Sequence, residues 1–143
     1  MRTAGWAPPM QTGDMTTTNL YQPGVCNIGP AEIRARRRTG WIGLAVAVVF
    51  LVLAFALQIP APFRLLVALP VGMAATGFLQ GAFHFCVRFG TQGLFNFGEM
   101  GAEEQVHEAE YRRKDQRKAI LIIVLSLLIT VVVAVGAFLT PLP

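Results

Sequence analysis

The chain is short of the residues that carry chemistry. It has two cysteines and two histidines among 143 residues, and 8 carboxylates against 12 Lys and Arg. No CxxC pair occurs, so a thiolate zinc or dithiol redox site of ordinary spacing is not expected. No Ser/His/Asp constellation or nucleotide fingerprint is present. The nearest thing to phosphate-loop spacing, Gly72 to Gly77, lacks a following Lys. An enzyme is therefore not expected. Charge is scarce as well: 14% of residues are charged, against about 25% in a soluble domain.

Scarcest of all is charge inside three apolar runs, residues 41–58, 65–83 and 119–139. Each approaches the ~20 residues with which a helix crosses the hydrocarbon core of a bilayer. Mean hydropathy is +0.53 and 54% of residues are hydrophobic. The expected fold class is an all-α integral membrane protein with three transmembrane helices, the third extended into the cytoplasm, behind a largely irregular N-terminal arm. Residues 1–29 form the arm and residues 30–143 the membrane domain, with a cytoplasmic loop and helix at 87–118.

The net charge of +4 is placed beside the apolar runs. Arg36, Arg37 and Arg38 precede the first, and Arg113, Lys114, Arg117 and Lys118 precede the third. Such clusters suit anionic lipid headgroups, which are the expected partners, rather than nucleic acid. With the N-terminus inside, all Lys and Arg but Arg64 fall on the cytoplasmic side. The positive-inside bias thus predicts a cytoplasmic N-terminus and an external C-terminus, in a membrane expected to be the bacterial inner membrane. No apolar core of signal-peptide length is visible in residues 1–30. Cys26 and Cys86 then share a reducing compartment, where a structural disulfide is not expected.

Local signals refine the picture. Asn27 or Gly29 can cap a helix, with Pro30 at its first position and Glu32 in its first turn. Thr39–Gly40 permits a bend after residue 38, and Trp41 marks the membrane interface. Pro60 and Pro62 make residues 59–63 a short external turn, and Pro70 should kink the second span. Gly77 and Gly81 form a small-xxx-small pair for close helix packing, against the first span or another chain. Ser126, Thr130 and Ala134 recur every four residues as a packing face on the third span. Phe83, Phe85, Phe89, Phe95 and Phe97 gather around glycines, either dipping into the membrane surface or folding against the helices. From Ala102 the composition turns helical, with Glu108 to Arg112 and Glu110 to Lys114 at i,i+4 spacing. One helix over residues 102–139 would be about 55 Å long.

Three function classes follow. The first is a small accessory or scaffold subunit of a larger membrane complex, respiratory or photosynthetic, with other membrane subunits as partners. The second is a redox, haem, pigment or metal-binding protein using His84 with Cys26 or Cys86. Thr76, Gln80 and His84 are spaced to share one face of the second span, and His84 is the candidate axial ligand for a haem or pigment. Glu104-x-x-His107 resembles half of a di-iron ligand set, of which the chain has no second copy. The third class is a transporter or channel component, against which stands the lack of ionisable residues inside the runs. The segment from Cys26 to Ile33 has the look of a specific motif to which no activity attaches.

Overall fold

A computed structural model describes residues 20–141. The fold is mostly helical. Helix α1 runs Pro30–Ala56, α2 is a single turn at Ala61–Arg64, and a 3₁₀ turn at Leu65–Val67 leads into α3 at Ala68–Ala82. A short α4 (Val87–Gln92) precedes two two-residue strands, β1 (Leu94–Phe95) and β2 (Glu104–Gln105), which pair antiparallel. Helix α5 is Ala109–Leu139. Three helical stretches are long and apolar enough to cross a membrane: Pro30–Ala56, Ala61–Ala82 and Ala109–Leu139.

Helix α3 lies in the middle. Both α1 and α5 pack on it, from opposite sides, and touch each other little. The α1–α3 seam is backbone against backbone. A Cβ added at Gly77 would stand 2.5 Å from the Gly40 nitrogen, and one at Gly43 would stand 2.6 Å from the Ala74 nitrogen. In lipid, where helices associate by packing rather than by burying apolar surface from water, such proximity is what holds a pair together. The partner of Gly77 is therefore α1. Gly40 is part of this seam and no bend occurs there: α1 is continuous from Pro30, with Gly29 as its N-cap.

The α3–α5 seam uses the predicted stripe. Ser126 and Ala134 are buried, and a Cβ at Gly72 would meet Thr130 Oγ1 at 3.5 Å. The Thr130 hydroxyl donates to the Ser126 carbonyl at 2.7 Å, satisfying itself on its own helix. Where Pro70 was expected to kink the span, the chain runs as 3₁₀ through Leu65–Val67, in the turn whose carbonyl a proline nitrogen cannot reach.

Both α1 and the α2–α3 stretch end in the same device. Ile59 N–H donates to Ala54 O and Gln58 N–H to Phe55 O, with Gln58 left-handed at φ 52°. At the other end Phe85 N–H donates to Gln80 O, with His84 left-handed at φ 51°. These six-to-one closures are the Schellman pattern, with Gln and His standing where glycine is usual.

Two expectations fail in the segment before α5. The helix begins at Ala109, not Ala102, so it is about 46 Å long rather than 55 Å. Residues 102–108 are instead drawn into the fold by the β2 pairing, by Val106 N–H donating to Gly93 O, and by Arg112 Nε donating to Val106 O at 2.6 Å. Arg112 is thereby engaged with a carbonyl, while Glu110 and Lys114 do form the expected i,i+4 pair at 2.8 Å.

Candidate functional site

The basic end of the bundle carries a small polar core that the sequence hardly announces. The segment from Cys26 to Ile33 is its centre. Asn27, fully buried, clasps the backbone of Cys86 from both sides: Nδ2 donates to Cys86 O at 3.1 Å and Oδ1 accepts from Cys86 N–H at 2.7 Å. Its own backbone receives a hydrogen bond from Asn96 N–H, and Gly29 N–H donates to Asn96 O. Asn96 in turn orders the next loop through Glu99 O and Gly98 N–H. Ile28, Cys86 and Phe89 fill the apolar centre, and Phe85 packs with Ala119 and Ile122 of α5. The phenylalanine cluster is thus folded against the helices, with Phe85, Phe89 and Phe95 buried.

Asp115 is the second surprise. It sits in a run of Lys and Arg yet is fully buried, accepting from the Tyr21 hydroxyl and the Gly24 N–H, both at 2.7 Å. This latch fastens residues 20–26 to the start of α5. Tyr21 also stacks on Phe95, with ring centroids 4.8 Å apart. Burial, and then donation to Asp115, push the Tyr21 phenol well above the usual tyrosine range. The irregular arm expected over residues 1–29 lies outside the described residues as far as residue 19.

The groups proposed as ligands are kept apart. His84 is exposed and lies past the end of α3 in its left-handed closure, so it does not continue the face of Thr76 and Gln80. Gln80 is buried and accepts from Val87 N–H at 3.0 Å. The Cys86 thiol accepts from Arg36 Nη2 at 3.3 Å, and the Cys26 thiol donates to Leu20 O. Glu104 is in a strand and His107 beyond it, so their i,i+3 spacing does not put them on one helical face. Among the described residues, no three His, Cys, Asp or Glu side chains gather as a metal-binding group.

The predicted headgroup cations divide. Arg36 turns inward to Glu32, at 3.3 Å, and to Cys86. Arg37 lies along Gly81, where an added Cβ would meet its Cγ at 2.8 Å, a contact with a flexible side chain rather than with backbone. Lys118 holds its ammonium 4.3 Å from the Phe83 ring centroid. Arg38, Arg113, Lys114 and Arg117 are exposed.

At the opposite end Arg64, the lone exception to the charge asymmetry, is 3% exposed and does structural work. Its Nη1 donates to Ala137 O at 3.1 Å and Thr140 O at 2.7 Å, its Nε to Ile59 O at 3.0 Å, and its guanidinium lies over Phe55. A cation there meets the carbonyls and negative dipole end of α5.

The two open sides of α3 differ in chemistry. One side carries two recesses that meet at Gly72 and Thr76. The first, of about 370 Å³, is lined by Arg36, Thr39, Thr76 and Gln80. The second, of about 270 Å³, is lined by Thr76, Ser126 and Thr130 among apolar neighbours. Ser126 Oγ is buried there without a hydrogen-bond partner among the described residues. The other side is a wholly apolar groove of about 340 Å³. Comparison of the chain with family models, with curated proteins and with solved structures finds no match in any of the three.

Proposed function

We propose that the chain is a small accessory or scaffold subunit of a larger membrane complex, and that the polar side of α3 is where a transmembrane helix of another subunit lies. The observation that carries this reading is the concentration of polar side chains, Thr39, Thr76, Gln80 and Thr130, along one side of the bundle, where Thr39 and Thr130 donate to carbonyls of their own helices and Gln80 accepts from Val87 N–H. Lipid tails offer the remaining donors and acceptors of such groups nothing, whereas a neighbouring helix offers carbonyls and polar side chains at about 1 kcal/mol per hydrogen bond. The pinned segment at the basic end supports a scaffold role, because it holds the three helices in a fixed arrangement at the cost of several buried polar groups.

The proposed setting is the bacterial inner membrane with the N-terminus in the cytoplasm, supported by the charge asymmetry and by the internal satisfaction of Arg64, its one exception. A photo-reactive residue at position 76 should yield one discrete protein adduct in native membranes, and the same residue at Val132, which is 70% exposed, should yield none. Lipid adducts alone at both positions would remove the subunit reading. Ala61→Cys should react with an impermeant maleimide in intact cells. Reaction only after permeabilisation would reverse the orientation.

A further inference from the structure

We propose that the apolar groove on the other side of α3 is a binding site for one anionic glycerophospholipid, with an acyl chain in the groove and the phosphate between Arg37 and Lys118. The groove is built from all three helices: Leu44 and Leu51 of α1, Ala75 and Phe78 of α3, Ile129 and Val133 of α5. It exists because α1 and α5 sit on opposite sides of α3 and do not close over it, while Ala47, Ala74 and Ala75 leave the floor low. Its volume of about 340 Å³ falls in the range of small-molecule sites.

An apolar cleft alone does not choose its occupant. Here the charge at its rim does. Arg37 precedes Leu44 by seven residues, two helical turns, so it stands on the same stripe of α1. Lys118 precedes Ile129 by eleven residues, three turns, and shares its stripe of α5. Both cations are brought to the last turn of α3, just past the groove's upper lining at Phe78 and Leu79: Arg37 against Gly81, Lys118 over Phe83. Among the described residues neither forms an ion pair with a carboxylate. Trp41, 64% exposed and edge-on to Phe78 at 5.2 Å, supplies the aromatic expected at headgroup level. An apolar slot with two cations and an interfacial indole at its mouth matches one class of molecule, a lipid whose headgroup has a phosphate and a net negative charge. The site is independent of the partner proposed for the opposite side.

The test is native mass spectrometry of the full chain released from nanodiscs of phosphatidylglycerol and phosphatidylcholine with identical acyl chains. Wild type should retain one phosphatidylglycerol per chain. The Arg37→Gln/Lys118→Gln pair, the first exposed and the second half-buried, should lose about 25-fold of the preference over phosphatidylcholine, about fivefold for each charge. Val48→Trp, at a half-exposed position lining the groove, should abolish retention of both lipids, and Leu127→Trp on the polar side should not. Equal retention of the two lipids by wild type overturns the proposal. So does an unchanged preference in the double glutamine variant, or a retained lipid in Val48→Trp with an unaltered circular dichroism spectrum. If Val48→Trp does not fold, the double glutamine variant decides alone.

Discussion

A histidine beside a membrane span invites a ligand role, but its backbone gives His84 a different job. It is the left-handed residue that closes α3, a conformation that costs a non-glycine residue about 1–2 kcal/mol. His84→Gly should therefore raise stability by about 1 kcal/mol after the entropy of glycine is set against it, seen as a higher midpoint in a thermal unfolding assay in detergent. The same variant speaks to the haem or pigment alternative, since a lost visible absorbance would make His84 a ligand and the closure secondary. Asp115 teaches a similar lesson. Its neighbours in sequence, Lys114 and Arg117, mark a solvated basic run, and only the fold brings Tyr21 and Gly24 from more than ninety residues away to claim its two oxygens. Nothing local distinguishes it from the other charges of that run. Asn27 was visible as a possible cap, yet its work lies 59 residues along the chain at Cys86.

Helices that must hide their backbone from lipid are the part of a fold most directly written in sequence, and the three spans were legible for that reason. The elements outside the hydrocarbon were not. Residues 102–108 have a helical composition but form no helix, because Val106 is worth more buried beside Gly93 and Arg112 than turned into a helix exposed to water. Gly40 shows the reverse error, a supposed bend that is a smooth helix with a neighbour too close for any side chain. The seam it belongs to yields a paired prediction. Gly77→Ala should destabilise the bundle by about 1–3 kcal/mol, since the new methyl meets Gly40 backbone rather than a side chain that can move. Gly136→Ala, with open space around it, should gain up to about 1 kcal/mol from helix propensity. Both are read from thermal or denaturant midpoints in the same detergent. Equal loss in the two variants would dissolve the seam.

As a whole the molecule is a row of three helices rather than a closed bundle, pinned at its two ends by different means. The basic end is held by Asn27, Asn96 and Asp115, the other by Arg64. A flat row leaves both sides of its middle helix to be covered from outside, and the two sides ask for different company: polar groups on one, an acyl chain on the other. The far end has a bearing on how the protein is made. The carbonyls that receive Arg64 belong to residues 73 and 76 positions later, so they do not yet exist when the first two spans leave the ribosome. A nascent hairpin thus holds a guanidinium met only by Ile59 O and the Phe55 ring, and arrival of the last helix completes its hydrogen bonds. Its replacement should accordingly matter more in the full chain than in the hairpin alone. In the full chain Arg64→Leu should shorten the half-life in a pulse-chase, while in a chain stopped after residue 108 it should have a smaller effect, because the two bonds to Ala137 O and Thr140 O are never made there.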